Sequence, residues 1–361
     1  MASVPSLRGV HTQWSPRRAG PVWFRGLKGT VMKRREFITL IGSAVAYWPL
    51  EARAQQGDRL RRICVLMGLA ENDAEALPRI SAFEQALEKA GWVVQRNLDI
   101  EYRWAGGSPE RMQAFAKELV GLRPDLIVTH TTPATVAAQQ ETRTIPIVFV
   151  QVSDPVASGI VTSLARPGGN VTGFANFEIS LISKWVELLK VLVPSVTRVA
   201  LLYNAETAPF TTYYLQHFET TARAFSVEPI KATARNYSDI EHAITALGRE
   251  PGSSLVIMPD TFTAVHRRTI IGLAAQHRLP AAYPFRYWVT DGGLISYGID
   301  VPDLFRRTAS HVDRILRGEK PADLPVQAPT KYETVLNLKT AKALGLTIPR
   351  TLLAAATELI D

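Results

Sequence analysis

The chain alternates short apolar runs with helical patterns, and this alternation constrains its fold more than any other feature. The clearest example spans residues 124–154. Two apolar runs, 126–128 and 147–150, flank a helical pattern that opens at Pro133. Strands that are covered by helices on both faces read as continuous hydrophobic runs. The stretch therefore predicts two neighbouring parallel strands joined by a helix.

The same alternation extends along the chain in two series. The first series has predicted strands at 62–67, 98–104 and 170–174 and predicted helices at 78–90 and 109–122. After an amphipathic helix at 179–193, the second has predicted strands at 198–203, 227–232 and 254–258 and predicted helices at 209–225, 238–247 and 264–277. A further strand at 294–297 and a helix at 303–316 follow the two series. Because crossovers between parallel strands are right-handed, each series predicts one twisted sheet. The fold class is therefore α/β, with two Rossmann-like lobes.

The charge distribution argues against a nucleic acid as partner. The formal net charge is +8, but 32 of the 41 basic and 31 of the 33 acidic residues follow Ala54. The body of the chain is thus nearly neutral, without the basic excess that binding to phosphate backbones requires. The single cysteine, Cys64, lies inside an apolar run and is interpreted as a core residue, so no disulfide framework is predicted.

Residues 32–54 have the pattern of an export signal. Lys33, Arg34 and Arg35 precede a short uncharged run at 38–50, and a small-x-small site follows, which predicts cleavage near Ala54 and Gln55. The paired arginines resemble a twin-arginine signal, and a general secretory route stays open. Residues 1–31 fit neither a signal nor a fold. They are interpreted as a non-native extension, with Met32 as the start of the natural chain.

Polar residues follow the predicted strand ends, where open parallel sheets bind their ligands. Thr131 and Thr132, with the backbone N–H of Ala134, suit an anionic group at a helix start. Asp154 ends the next strand and suits a cationic group. Each residue also has a purely structural alternative to ligand contact: the threonines can cap the helix that follows, and Asp154 can be a turn residue.

Other strand ends carry further candidates for ligand contact. Glycine allows close backbone approach, Asn and Asp offer polar groups, and tyrosine can stack on a ligand or fill the core. Asp260 is equally suited to capping the helix that follows it. The additional candidates are Gly68, Tyr203, Asn204, Asp260, Tyr283 and Tyr297.

The sequence lacks the motifs of several enzyme and cofactor classes. It has no dinucleotide fingerprint, phosphate loop, nucleophile elbow or zinc-binding spacing of His and Cys. His130 is a candidate base, but no nucleophile is paired with it. We therefore predict no catalytic residue, metal or cofactor.

Several motifs together resemble a known family. They are ICVLMG, RPDLIVTHTTPA, IPIVFVQVSDPV, LARPGGNVTGF, RVALLYN and NLKTAKALGLTIP. With the export leader, they resemble the ABC-transporter substrate-binding proteins of the tryptophan/tyrosine-transporter type. The likeness covers nearly all of residues 58–350, and the motifs are specific as an ordered set.

This resemblance implies a type I periplasmic binding fold, with two lobes joined by a three-strand hinge and a ligand in the cleft. The expected first lobe comprises 58–175 plus about 287–318, and the second 176–286 plus about 322–361. In relatives that bind aromatic amino acids, hydroxyls and amides of the first lobe hold the carboxylate and an aspartate holds the ammonium group. The matching residues are Thr131, Thr132 and Asp154.

The function expected from the resemblance is that of a monomeric periplasmic receptor. It delivers a small polar molecule, either an amino acid, aromatic or otherwise, or a related organic acid, to an ABC permease. Two alternatives stay open from sequence. One is an exported enzyme that acts on a small molecule, and the other is a ligand-sensing module for a membrane receptor.

Overall fold

Two sheets organise the described part of the chain, which comprises residues 60–177, 179–208 and 210–361 of a computed structural model. Both sheets belong to one unit that extends from Leu60 to Asp361. The predictions about the extension at 1–31 and the export signal at 32–54 concern residues outside the described ranges.

The first sheet has five parallel strands in the order β2-β1-β3-β4-β5. They are β1 (Arg61–Met67), β2 (Leu98–Trp104), β3 (Leu126–His130), β4 (Ile147–Ser153) and β5 (Val171–Phe177). Every residue of β3 and β4 is buried, as expected for strands covered on both faces.

Helices cover both faces of this sheet and complete the first lobe. They are α1 (Ala76–Lys89), α2 (Pro109–Gly121), α3 (Thr132–Glu141) and a later helix, α10 (Val301–Leu316). Phe83 of α1 and Phe305 of α10 are buried in one core layer. Met112 of α2 and Ala138 of α3 are buried in the other. The apolar sides of these helices pack against the two faces of the sheet, so the sheet lies between two layers of helices.

The second sheet has seven strands in the order β12-β11-β10-β9-β8-β6-β7. They are β6 (Arg198–Tyr203), β7 (Glu228–Thr233), β8 (Ser253–Ile257), β9 (Ala281–Tyr283), β10 (Ile295–Ile299), β11 (Tyr332–Asn337) and β12 (Glu358–Ile360). Strands β10 and β11 are antiparallel, and the other neighbouring pairs are parallel. The predicted α/β class with two βα lobes is confirmed.

The second lobe consists of this sheet and its helices. The helices are α4 (Ser180–Leu192), α5 (Thr211–Ala224), α6 (Tyr237–Gly248), α7 (Thr261–Val265), α8 (Arg267–Gln276), α9 (Arg286–Thr290), α11 (Leu338–Ala343) and α12 (Arg350–Ala355). Trp185 of α4 and Phe218 of α5 are buried in the same core layer.

The chain passes between the lobes at three places: after β5, at Asp300 after β10, and between Gln327 and β11. The segment 287–318, which the sequence analysis assigns to the first lobe, is divided by the structure. Its strand β10 pairs with β9 and β11 of the second sheet, whereas α10 packs on the first. The segment before β11 stays with the first lobe, because Gln327 N donates to Gly173 O over 2.9 Å.

Within residues 60–177, 179–208 and 210–361, no helix is both long and apolar enough to cross a bilayer.

Candidate functional site

A cavity lies between the lobes, where the carboxyl ends of strands from both sheets meet. Arg79 of α1, on the first-lobe side of the cavity, was not among the residues predicted from the sequence. The first lobe contributes Leu69, Arg79, His130, Thr131, Thr132, Pro133, Gln151, Ser153 and Asn176, and the second contributes Thr207, Phe210, Pro259, Asp260, Thr261, Ala264, Phe285 and Tyr287. The predicted position at the strand ends agrees with this arrangement.

Thr131 of the first wall has an unusual backbone conformation. Its backbone has φ 85° and ψ 160°, a region that β-branched residues rarely adopt. Its buried Oγ1 has no hydrogen-bond partner within the described residues. A Cβ at Gly68 would lie 2.9 Å from this oxygen, so Gly68 leaves the space that the Thr131 side chain needs. Backbone strain of this kind is characteristic of functional sites.

Thr132 and Ala134 lie in the first turn of α3 but differ in their contacts. Thr132 lines the cavity, and its Oγ1 accepts a hydrogen bond from Ser153 N over 3.2 Å. Ala134 is fully buried in the core and does not line the cavity. Of the predicted anion-binding group, the structure therefore places the two threonines at the site.

A buried polar cluster lies behind the same wall. His130 Nδ1 accepts from Gly68 N over 3.2 Å, so the neutral ring carries its proton on Nε2 and donates to Gln151 Oε1 over 2.9 Å. Arg79 Nη1 donates to the same oxygen over 3.2 Å. Burial, with the nearby guanidinium of Arg79, lowers the pKa of His130 to about 3. The imidazole is therefore neutral at physiological pH.

Asp260 is the carboxylate of the second wall. Its Oδ1 accepts from Thr263 N over 2.9 Å and from Thr207 Oγ1 over 3.2 Å, so it caps α7. Its Oδ2 is buried without a hydrogen-bond partner among the described residues. Burial raises its pKa to about 6, although these hydrogen bonds act in the opposite direction. One oxygen of Asp260 thus caps a helix, and the other is left unpaired in a residue that lines the cavity.

Aromatic side chains supply the apolar part of the second wall. Phe285 and Tyr287 stack with ring centroids 5.5 Å apart, and Phe210 lines the cavity with them. The Tyr287 ring also faces two guanidinium groups, that of Arg79 at 5.4 Å and that of Arg267 at 5.5 Å. Such surfaces suit a flat apolar group.

Asp154 lies outside the cavity lining. Its Oδ1 accepts from Ala157 N over 2.9 Å, which is the turn role considered above. Its Oδ2 accepts from the hydroxyl of Tyr214 on α5 over 3.2 Å. Asp154 therefore joins the two lobes beside the cavity.

The remaining predicted residues also lie away from the lining. Asn204 Oδ1 accepts from the backbone N–H of Thr207 over 3.3 Å and so orients a residue that does line the cavity. Tyr203 is buried in the core of the second lobe. Tyr283 stacks on Trp288 at 5.2 Å, and Tyr297 on Tyr332 at 5.9 Å.

Sequence signals existed for some of the residues that were missed. Gln151 and Ser153 lie within three residues of the end of the second apolar run. Arg79 lies on the apolar stripe of α1, where a charged residue is unusual. Phe285 and Tyr287 had no such signal, because they lie at the start of a five-residue helix, Phe285 as its N-cap and Tyr287 in its first turn. Within the described ranges, no group of three or more His, Cys, Asp or Glu is placed to hold a metal ion.

Comparison with known proteins agrees with this geometry. The family model described as ABC transporter substrate binding protein matches residues 68–360. A tyrosine-binding protein from Clostridioides difficile (strain R20291) is 28% identical over 264 residues, which make up 73% of this chain and 75% of that protein. A conserved domain protein from Vibrio cholerae has a similar structure, with a TM-score of 0.77 and 29% identity over 83% of this chain and 100% of that one.

Two further solved structures bear on how the lobes are arranged. The ABC domain in complex with L-Trp from Streptococcus pneumoniae has a TM-score of 0.77 at 26% identity, covering 83% of this chain and 99% of that one. A ligand-free, open substrate binding protein from Clostridium difficile has a TM-score of 0.63 at the same identity and coverage. The present arrangement is thus more similar to the L-Trp complex than to that open structure. Because the family match extends through both lobes and nearly to the last residue, the chain belongs to the ABC transporter substrate binding protein family.

Proposed function

We propose that the protein is the solute receptor of an ABC importer and that its ligand is an aromatic amino acid. The observation that carries this proposal is a pair of buried oxygens without hydrogen-bond partners in the described ranges, Asp260 Oδ2 and Thr131 Oγ1. The residues that carry them line one cavity from opposite lobes. A carboxylate suits the ammonium group of an amino acid, and a hydroxyl beside the start of α3 suits its carboxylate.

The aromatic part of the proposal rests on the second wall. Phe210, Phe285 and Tyr287 offer ring surfaces to a flat side chain. The relative named for tyrosine and the similar structure that contains L-Trp support the same ligand class.

Lobe closure is the proposed working motion. A ligand that touches both walls makes its full set of contacts in the closed form alone, so it shifts the equilibrium towards that form. The three connections between the lobes act as the hinge. We propose that the closed, monomeric receptor then docks on an ABC permease.

Export to the periplasm is part of the same proposal. The family membership and the leader pattern at 32–54 support it, with cleavage near Ala54 and Gln55. The exported-enzyme alternative has weaker support, since His130 is buried with a lowered pKa and its ring nitrogens contact Gly68 and Gln151.

A ligand screen tests the proposal. Thermal unfolding of the purified protein is measured with L-tryptophan, L-tyrosine and L-phenylalanine, and with L-leucine and L-glutamine as controls. A ligand present at 100 times its Kd stabilises the folded state by about 2.7 kcal/mol. At least one aromatic amino acid should raise Tm well above the effect of both controls, with titration calorimetry giving its Kd. A folded protein whose Tm responds to none of the three would contradict the proposal.

A further inference from the structure

Arg79 is a buried cation that the proposed function has not yet used. Its side chain is 1% exposed and lines the cavity. Nε and Nη2 have no hydrogen-bond partner among the described residues. The nearest carboxylate oxygen to Nη2, Oε2 of Glu75, is 3.7 Å away and belongs to a partly exposed side chain. A buried guanidinium with two unpaired nitrogens costs folding free energy, which favours a role in ligand binding over a role in stability.

The two unpartnered nitrogens form one edge of the guanidinium group. Other arginines of this protein present the same edge to carboxylates. Arg286 donates from Nε and Nη2 to the two oxygens of Glu358, each over 2.6 Å. Arg314 donates from the same two atoms to Glu319, over 3.0 and 2.6 Å. The Nε–Nη2 edge of Arg79 is therefore chemically suited to a bidentate carboxylate.

The surroundings of Arg79 hold this edge in place. Nη1 is anchored by Gln151 Oε1, which also accepts from His130. The face of the guanidinium lies against the Tyr287 ring, which belongs to the second lobe. The Arg79 side chain therefore loses little conformational freedom when a ligand binds. A guanidinium edge that is already held in position binds a carboxylate more tightly than a mobile one.

We infer that Arg79 binds the carboxylate of the ligand through its Nε–Nη2 edge and restricts the receptor to ligands that carry a carboxylate. This inference rests on the proposed function, since it assigns a specificity-determining residue to the same cavity. Thr131 Oγ1 and the N-terminal turn of α3 add donors from the same wall. Arg79 therefore selects aromatic acids against the corresponding aromatic amines.

Binding calorimetry with three ligands tests this assignment. The ligands are L-tryptophan, tryptamine, which lacks the carboxylate, and indole-3-lactate, which lacks the ammonium group; tyrosine analogues replace them if tyrosine is preferred. The wild-type protein should bind the amino acid about 10- to 100-fold more tightly than the amine. Arg79→Gln should lose about that factor for both acids and leave the amine unchanged. Arg79→Lys should lose less affinity for the acids than Arg79→Gln, because lysine keeps the positive charge but lacks the two parallel N–H donors of the guanidinium edge.

The control is Arg286→Gln, which removes the same edge from an arginine that binds Glu358 instead of lining the cavity. It should leave all three affinities unchanged. An equal loss for acids and amine in Arg79→Gln, or amino acid binding at the wild-type level, would overturn the Arg79 assignment while the proposed function stands. If indole-3-lactate binds through Arg79 but no aromatic amino acid binds, the proposed function fails and the assignment holds. Absence of binding by every ligand would overturn both.

Discussion

Arg267 of the second lobe donates two hydrogen bonds to Asp73 of the first, from Nη1 to Oδ2 over 2.9 Å and from Nη2 to Oδ1 over 3.2 Å. The two side chains are 8% and 13% exposed. Arg267 Nε also donates to Asp291 of its own lobe over 2.9 Å. Burial alone would raise the pKa of Asp73, but the hydrogen bond from Arg267 holds it below its usual value. Because the partners belong to different lobes, the bidentate pair stabilises the arrangement in which the two lobes are in contact.

We expect Asp73→Asn to weaken ligand binding although Asp73 does not line the cavity. Losing a charge pair that exists in the closed form shifts the equilibrium towards the open form. Coupling free energies of this kind are about 1–3 kcal/mol, or about 5- to 150-fold in affinity. Stopped-flow fluorescence should assign most of the loss to faster dissociation. The control Glu118→Gln breaks a pair with Arg103 inside the first lobe and should leave the dissociation rate unchanged. An unaltered rate in Asp73→Asn would contradict the proposed closure contact.

Asp260→Asn should reduce the affinity for an aromatic amino acid by at least about 30-fold. Replacing the carboxylate leaves the ligand ammonium in a closed cavity without its charge partner, a change that typically costs about 2–5 kcal/mol. Asn is as good an N-cap as Asp, so α7 should stay capped. Titration calorimetry measures the loss.

Two substitutions serve as controls for Asp260→Asn. Asp239→Asn changes another carboxylate that accepts a backbone N–H, from Arg235, but lies outside the cavity. Asp154→Asn changes the residue that sequence alone assigned to the ammonium group. Asp239→Asn should leave the affinity nearly unchanged. Asp154→Asn keeps an acceptor for the Tyr214 hydroxyl and should cost less than Asp260→Asn. A larger loss in Asp154→Asn would restore the assignment made from the sequence.

Ligand affinity should fall as the pH drops below about 6. In the ligand-free protein the pKa of Asp260 is raised to about 6, above an ordinary aspartate value of about 3.9. The Asp260 carboxyl therefore keeps its proton to a higher pH in the folded protein than in the unfolded chain. The stability that this proton contributes to the folded state is lost as the pH rises through 6. An ammonium ligand needs the ionised carboxylate, so binding below pH 6 requires a proton to leave and weakens by up to about tenfold per pH unit.

Calorimetry from pH 5 to pH 8 tests this dependence. Asp260→Asn should flatten the profile, whereas Asp239→Asn should retain it. A profile for the wild type that is flat across pH 6 would show that the Asp260 carboxyl does not titrate on binding.

Gly298→Ala should destabilise the fold. Gly298 lies in β10, and a Cβ there would overlap the carbonyl oxygen of Pro284. A backbone atom cannot move aside as a side chain does, so a loss of about 1–3 kcal/mol is expected from overpacking. The matched control is Gly272→Ala in α8, where an added Cβ meets nothing within 4 Å. It should stabilise the protein by about 0.5–1 kcal/mol. Urea denaturation distinguishes the two, and an unchanged midpoint for Gly298→Ala would contradict the close approach.

The sequence by itself determined the two βα lobes and the edge at which the site lies. The apolar runs that became β3 and β4 are local signals, because a strand buried on both faces needs apolar residues at every position. Thr131, Thr132 and Asp260 were found because they follow such runs directly. These predictions required no knowledge of which lobe faces which.

Tertiary structure alone decided which side chains meet. Strand β10 has a pattern that suits either sheet, and its pairing with β9 and β11 placed it in the second lobe. Asp154 follows a strand end as Thr131 does, yet its carboxylate contacts Tyr214 instead of lining the cavity. Arg79 and Asp73 meet residues of the other lobe that are about 200 positions away in the chain. Local periodicity carries no information about such contacts, because they join residues of different lobes that are far apart in the chain.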